Sequence, residues 1–218
     1  FEKDPKGGGL MRTNIPSFRL PEEVLDDEVE RITGFGVECR FGKAGTVTSL
    51  KKILDDGFDA VFVGTGAPRG SDLDLPGRKE AAANIFVGID WLSSVSFEHV
   101  SRIGKRVLVL GGGNTAMDCC RTARRLGGED VKVVVRSEFD KMKASPWEKD
   151  DAMAEDIPIF NNHVPKEFVH RDGRLVGMTF DKVDVVYDDK GRRSLVSTGE
   201  EPVFFEADDV LIAIGQDN

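Results

Sequence analysis

The stretch Arg106-Val107-Leu108-Val109-Leu110-Gly111-Gly112-Gly113-Asn114-Thr115-Ala116 decides the fold. Its first five residues form an aliphatic, partly β-branched run of strand length. Three glycines then turn the chain. Asn114–Leu126 has helix-forming composition and stops at Gly127-Gly128, a natural helix end. Val131–Val135 is a second buried-strand run. Strand, glycine turn, helix, strand is a βαβ unit, and such crossovers join parallel strands with a right-handed sense.

The turn also carries chemistry. A pyrophosphate needs backbone N–H donors that approach closely, and a helix N-terminus behind them. Gly111 permits the sharp exit from the strand, Gly113 lets the backbone approach the phosphates, and Ala116 allows the helix to pack closely on the strand. Gly112 completes the turn, and Asn114 and Thr115 stand where side chains can donate to phosphate or ribose. The context makes dinucleotide binding the expectation, and a purely structural glycine turn is the alternative. The end of the second strand selects the nucleotide. An acidic residue about twenty positions after the motif would hold a ribose 2′-hydroxyl and favour NAD. This chain has Arg136 followed by Ser137, and a guanidinium suits a 2′-phosphate, so NADP is expected. Lys141 and Lys143 add positive charge, Glu138 and Asp140 oppose it, and a solvated strand-end arginine is the alternative role for Arg136.

Working outward toward the N-terminus, residues 7–21 are rich in Gly and Pro and read as a loop. Pro21 opens a helix with Glu22 and Glu23 in its first turn, with Leu25, Val29 and Ile32 on one face and Gly34 and Gly36 as its stop. Val37–Phe41 reads as a short strand, Leu50–Leu54 as a short helix capped by Ser49, Phe58–Gly64 as a buried strand, and Pro68–Pro76 as a linker. A second block begins near Asn84, with a short helix over Asp90–Val95. Toward the C-terminus, Ser145-Pro146-Trp147-Glu148 predicts a helix start with a capping box, running to about Glu155. From Glu167 the period becomes that of strands. Asp172-Gly173 predicts a tight hairpin, Val176–Tyr187 and Val203–Phe205 are strands, and Asp188–Arg193 is a turn, together an antiparallel meander. Asp209–Ile214 returns as a buried strand. The fold class expected is α/β, a Rossmann-like parallel sheet plus a β-meander.

Composition narrows the function. The 218 residues are 39% hydrophobic and 32% charged, ordinary for a globular chain with a real core. A net charge of −9 without a basic stripe argues against nucleic acid as a partner. Apolar runs are strand-sized, so no membrane span is expected, and without a visible signal peptide a cytoplasmic location follows by default. Cys39, Cys119 and Cys120 show no metal-type spacing and read as buried, reduced thiols, so no metal site is expected. His99, His163 and His170 stand beside no nucleophile motif and read as surface or structural residues. The chain opens Phe1-Glu2-Lys3 and closes directly after an apolar run, which reads as part of something longer.

Several motifs together carry a family resemblance. Gly8-Gly9-Leu10-Met11-Arg12 followed by Ile15-Pro16-Ser17-Phe18-Arg19-Leu20-Pro21 resembles the small (beta) subunit of NADPH-dependent glutamate synthase. Gly111–Asp118 resembles that family's second nucleotide motif, as do Arg136 with Met142, Ala144 and Glu148, and the closing Ala213-Ile214-Gly215-Gln216. Related flavin enzymes share the pattern, including the dinucleotide portion of dihydropyrimidine dehydrogenase and the large subunit of bifurcating NADH-dependent ferredoxin:NADP oxidoreductases. The resemblance implies an FAD domain with an NADPH domain inserted into it, passing electrons from NADPH to FAD and on to iron–sulfur clusters. It implies residues 1–80 as a partial FAD domain, 81–205 as the NADPH domain with its meander, and 206–218 as a return to the FAD domain.

On the flavin side the resemblance implies Glu2 as a ribose-binding acid, and Gly8, Gly9, Gly64, Gly66, Gly215 and Gln216 as remnants of a flavin pocket. The FAD fingerprint expected before Glu2 is absent from the sequence, so this stretch alone is expected to bind FAD weakly or not at all. Its FAD-domain strands would then expose an edge and could pair across chains as a dimer. Ser137 and Lys143 replace an arginine and a proline of the family's 2′-phosphate segment. Hydride transfer needs no general acid or base, so no catalytic residue is expected. An iron–sulfur domain or a large glutamate synthase-like subunit is the implied partner. The alternatives are a nucleotide-binding docking module without turnover, and an NAD-linked reductase.

Overall fold

The structure is a computed structural model and describes residues 1–187, 189–190 and 192–217. The N-terminal region carries helices α1 (Leu10–Thr13), α2 (Glu22–Thr33), α3 (Gly42–Gly45) and α4 (Leu50–Asp55). A short strand β1 (Arg69–Gly70) leads to β2 (Ile85–Val87) and α5 (Gly88–Ser96). The βαβ unit follows as β3 (Arg106–Leu110), α6 (Asn114–Arg125) and β4 (Asp130–Val134). After it come α7 (Pro146–Ala154) and β5 (Ile159–Phe160). Then run β6 (His163–Arg171), β7 (Arg174–Tyr187), β8 (Arg193–Ser197) and β9 (Val203–Glu206). The chain ends with β10 (Asp209–Ile212) and β11 (Gln216–Asp217).

Along β3, side chains alternate between two cores because successive residues of a strand point to opposite faces. Val107 and Val109 pack with Met117, Cys119, Cys120 and Ala123 of α6 and with Trp91 and Leu92 of α5. Leu108 and Leu110 pack with Phe168, Met178 and Phe180 of the antiparallel strands. One parallel five-stranded sheet, ordered β2-β10-β3-β4-β5, is therefore covered by helices on one face and by a second sheet on the other. Burial on both faces explains why its strands read as continuous apolar runs. β10 lies between β2 and β3, in register Val210↔Leu108 and Leu211↔Val109. Of the expected return segment 206–218, Asp209–Ile212 thus forms a strand inside this sheet.

The meander is an antiparallel sheet in which β7 pairs with β6, β8 and β9. Its first hairpin turns at Asp172 (φ 51°) and Gly173 (φ 77°), the left-handed pair that an Asp-Gly turn supplies. Strand β8 falls partly within the expected turn 188–193, of which residues 188 and 191 lie outside the described residues.

The N-terminal region differs most from expectation. Helix α2 forms, but of its apolar positions Leu25 is buried while Ile32 is exposed, because among the described residues none covers the side chain of Ile32 in the helix's last turn. Ser49 caps α4 as expected, its Oγ accepting from the Lys52 amide at 3.3 Å. Val37–Phe41 forms only a single parallel bridge, Glu2 to Phe41. Residues 58–64 form no strand, and Phe62 is 96% exposed. Both segments have strand-like composition, but among the described residues no strand lies beside them to complete a ladder.

Candidate functional site

Gly111 ends β3 at φ 138°, a region an L side chain rarely adopts. A Cβ there would stand 2.1 Å from the Ala213 carbonyl oxygen, at the carboxyl end of β10. The bend therefore sits where β3 and β10 part, because the Ala213 amide also donates to the Leu110 carbonyl at 2.8 Å. A Cβ on Gly112 would meet Val135 Cγ1 at 2.8 Å and Met142 Cγ at 3.3 Å, so this glycine serves packing. Gly113 is different. Nothing lies within 4 Å of its missing Cβ, and it is the N-cap of α6 without a side-chain cap bond. The amides of Gly112, Gly113, Asn114 and Thr115 donate to no backbone carbonyl among the described residues. An open helix N-terminus with unspent donors favours an anion. Ala116 is fully buried and packs in the core of the βαβ unit, as its size suggests.

Asn114 is engaged elsewhere. Its Oδ1 accepts from the Ser145 amide at 2.8 Å, and its Nδ2 donates weakly to Ser145 Oγ at 3.4 Å. The expected capping box at α7 does not form, since Ser145 makes no side-chain cap bond there. Glu148 instead turns into an ion-pair cluster described below. Between β4 and α7 the chain folds back over the bend, with Met142 and Ala144 buried and Lys143 exposed between them. The Ala144 amide donates to the Gly112 carbonyl at 2.9 Å, which ties this loop to the glycine turn.

Arg136 lies exposed just past β4, with Ser137 half-buried beside it. Three successive carbonyls hold this strand end. Val135 accepts from the His163 amide at 3.1 Å, Arg136 from Arg193 Nη2 at 3.1 Å, and Ser137 from Asn161 Nδ2 at 2.7 Å. Arg193 and Asn161 carry no local signal in the sequence, since the first arrives through the β7–β8 pairing and the second through the turn before β6. His163 Nδ1 donates to the Asn161 carbonyl at 2.6 Å, a structural role consistent with its reading.

The residues expected on the flavin side fall into separate places. Glu2 forms the bridge to Phe41, and its Oε1 accepts from the Asp4 amide at 2.9 Å. Gly8 (φ 125°) and Gly9 (φ 52°) open α1, and Gly8 packs tightly on Leu25. Gly66 (φ 68°) lies against Leu10 of that same helix. Gly215 (φ 148°) and Gln216 lie where β11 pairs with β1 and the Gly215 carbonyl accepts from the Ser71 amide at 3.0 Å. The structure thus brings Gly8, Gly9 and Gly66 together around α1, and leaves Glu2 with the 37–41 segment.

An ion-pair cluster joins the N-terminal loop to the βαβ unit. Arg19 Nη1 donates to both oxygens of Asp118, at 2.7 and 2.8 Å, and Arg19 Nη2 pairs with Glu148 Oε1 at 2.7 Å. Glu148 Oε2 accepts from Arg121 at 3.1 Å, and Arg121 Nε donates to Glu155 at 2.9 Å. Phe18 lies under the guanidinium of Arg125, 3.9 Å from ring centre to charge. Burial pushes the Asp118 carboxyl up to about 6, against the pull of Arg19.

Two cavities lie away from the glycine bend. One of about 610 Å³ is lined by Lys105, Asp130 and Asp208 at the amino ends of β3 and β4. Ligands of open α/β sheets bind at the carboxyl ends, so it is not the site. One of about 620 Å³ lies between residues 11–25 and the far ends of α5 and α6. Cys119 and Cys120 are buried and free, and burial pushes both thiols up, Cys120 to about 12, which makes them poor nucleophiles. Cys39, expected buried, is exposed, because the segment carrying it has no neighbouring strand. Among the described residues no cluster that could hold a metal ion occurs, and no helix is long and apolar enough to cross a membrane.

A parallel sheet with a glycine bend at its switch point, backed by an antiparallel sheet, defines the class: the mixed α/β fold of nucleotide-dependent reductases. The chain belongs to the pyridine nucleotide-disulphide oxidoreductase family, which it matches over residues 10–218. It is 34% identical to the NADP(+)-dependent formate dehydrogenase subunit beta of Moorella thermoacetica, covering 99% of this chain and 31% of that protein. It is 31% identical to the glutamate synthase [NADPH] small chain of Escherichia coli, covering 99% of this chain and 48% of that protein. The chain thus spans less than half the length of either relative. A solved structure of Mycobacterium tuberculosis FprA in complex with NADPH has the same fold, with a TM-score of 0.74 at 18% identity, over 98% of this chain and 63% of that one.

Proposed function

We propose that this chain is the NADPH-binding part of a flavin-dependent oxidoreductase that passes hydride from NADPH to FAD and electrons on to iron–sulfur clusters, as the resemblance to the glutamate synthase small subunit implies. The observation that carries the reading is the open N-terminus of α6. Gly113 leaves free space in front of unspent amides, at the point where β3 and β10 diverge. That combination fits a pyrophosphate. Arg136 and Ser137 at the end of β4, with Lys143 on the loop above, fit a 2′-phosphate. When bound, the nicotinamide supplies the hydride, and the chain's own part is to hold and orient the nucleotide.

Residues 1–80 form the FAD-side part in this reading, and 81–205 the NADPH unit, to which β10 adds its central strand. Gly9 and Gly66 take positive φ with uncrowded space at the Cβ position, which suits backbone approached by a planar ligand. FAD is the flavin this reading places against that backbone. An iron–sulfur domain or large subunit is the chain's partner, and the exposed apolar N-terminal region supports self-association when the chain stands alone.

Fluorescence titration of the chain with NADPH and NADH tests the reading. Tighter binding of NADPH is expected, and Arg136→Ala should weaken NADPH by roughly tenfold or more while leaving NADH unchanged. Unchanged NADPH affinity in Arg136→Ala removes the role given to that residue. A chain that binds neither nucleotide removes the reading altogether.

A further inference from the structure

We infer that Arg193, on the meander, is a second arginine for the nucleotide's 2′-phosphate and a determinant of NADPH over NADH. The inference rests on the dinucleotide reading above and goes beyond it in naming a residue from a different sheet. Arg193 is the first residue of β8, where it pairs with Tyr187 of β7. That pairing carries it across to the parallel sheet, 57 residues along the chain from Arg136, whose carbonyl accepts from its Nη2 at 3.1 Å. Its guanidinium is therefore held at the carboxyl end of β4, and the residue is exposed to solvent there.

Charge gives this placement a purpose. A phosphomonoester carries between one and a half and two negative charges near neutrality, roughly. The guanidinium of Arg136 neutralises only one, and Glu138 and Asp140 follow it closely in sequence. Ser137 adds a hydroxyl but no charge. Lys141 and Lys143 are exposed on the loop that follows, Lys143 between the buried Met142 and Ala144. Arg193 is a cation that a hydrogen bond fixes beside Arg136. The neighbouring carbonyls of Val135 and Ser137 are also bonded, so the strand end presenting both arginines is anchored at three consecutive residues. Arginine suits such a site because its planar fork keeps donors in reserve after one is used.

The competing role for Arg193 is a backbone prop that touches no ligand. Two variants separate the roles. Arg193→Ala removes both donor and charge. Arg193→Gln keeps an N–H donor for the Arg136 carbonyl and removes only the charge. Both are titrated with NADPH and with NADH, alongside the unaltered chain, by nucleotide fluorescence. The expected result is a loss of NADPH affinity of about tenfold or more in both variants, from one charge-assisted contact, with NADH affinity within about twofold. A glutamine variant that behaves like the unaltered chain, or equal losses for both nucleotides, overturns the inference and makes Arg193 a prop. In either case the unaltered chain still prefers NADPH, so the dinucleotide reading survives. An unaltered chain that binds neither nucleotide overturns that reading and this inference with it.

Discussion

Gly111 and Gly113 stand two residues apart and are constrained by different things. At Gly111 the constraint is internal: a positive φ and a carbonyl oxygen 2.1 Å from where a Cβ would lie. At Gly113 the backbone is ordinary, φ −102°, and the space beside it is empty. The two should therefore fail in different ways when a methyl group is added. Gly111→Ala is expected to lower stability by roughly 2–4 kcal/mol, through strain and displacement of the β10 end. Gly113→Ala should change stability by less than about 0.5 kcal/mol, yet weaken NADPH binding, because the methyl occupies the space assigned to phosphate. Urea unfolding and nucleotide titration of both variants check the pair. Full NADPH affinity in Gly113→Ala would mean that the phosphates lie elsewhere. The places of Gly111, Gly113 and Arg136, to which nucleotide roles are proposed, were legible in the sequence because each sits at a fixed offset from a strand or helix end. Arg193 was not, since its place depends on how a hairpin crosses from one sheet to another.

Among the elements, an ion-pair tie between the N-terminal loop and helices α6 and α7 crosses the proposed domain boundary. It gathers Arg19, Asp118, Glu148 and Arg121 around buried oxygens. Its pH behaviour follows from Asp118. The native carboxyl titrates near 6 because burial opposes its charge, whereas an ordinary one titrates at 3.8. Between those values the folded state holds a proton that the unfolded chain has released, so stability falls as pH rises from about 4 to about 6 and then levels. Glu155 and Asp208 are shifted the other way by Arg125 and Arg106, and what they contribute is lost only as pH falls below the ordinary carboxylate range. Comparing the melting temperature of Asp118→Asn with that of the unaltered chain from pH 4.5 to 6.5 isolates the Asp118 part. The substitution should flatten a decline of roughly 1–3 kcal/mol across that window. Parallel curves would show that Arg19 keeps Asp118 ionised throughout.

This same cluster explains why the expected capping box does not form at a helix start that was read correctly. The sequence before Glu148 has the form of a capping box, and the helix does begin there with Pro146 at its first position. Glu148 nevertheless turns away from the cap, because two arginines distant in sequence offer a buried carboxylate stronger partners than one backbone amide. Local patterns located β3, α6, β4 and the Asp172-Gly173 hairpin, whose determinants lie within a few residues. They overread residues 58–64, where apolar composition is present but, among the described residues, a neighbouring strand is not.

Across the whole molecule, burial is uneven. From β2 onward the chain fills two cores on either side of one sheet. Before β1 the buried apolar side chains are few, Leu25 and Ile53 among them, while Ile32, Phe35, Phe62 and Val63 are largely exposed. Exposed apolar surface next to unpaired backbone invites a partner, and in the isolated chain a second copy supplies the same surface. Amide hydrogen exchange can read both halves of the molecule at once. Amides of β3, β4 and β10 should exchange only through global unfolding at every protein concentration, because their strands are interior to the parallel sheet or covered on both faces. Amides of residues 58–64, which make no ladder within the chain, should exchange fast in dilute solution and slow as concentration rises and copies pair. Fast exchange there at every concentration would mean that the apolar face stays open and that the chain does not self-associate through it. Protection already present in dilute solution would mean that the segment pairs within one chain, and the strand reading of 58–64 would then be restored.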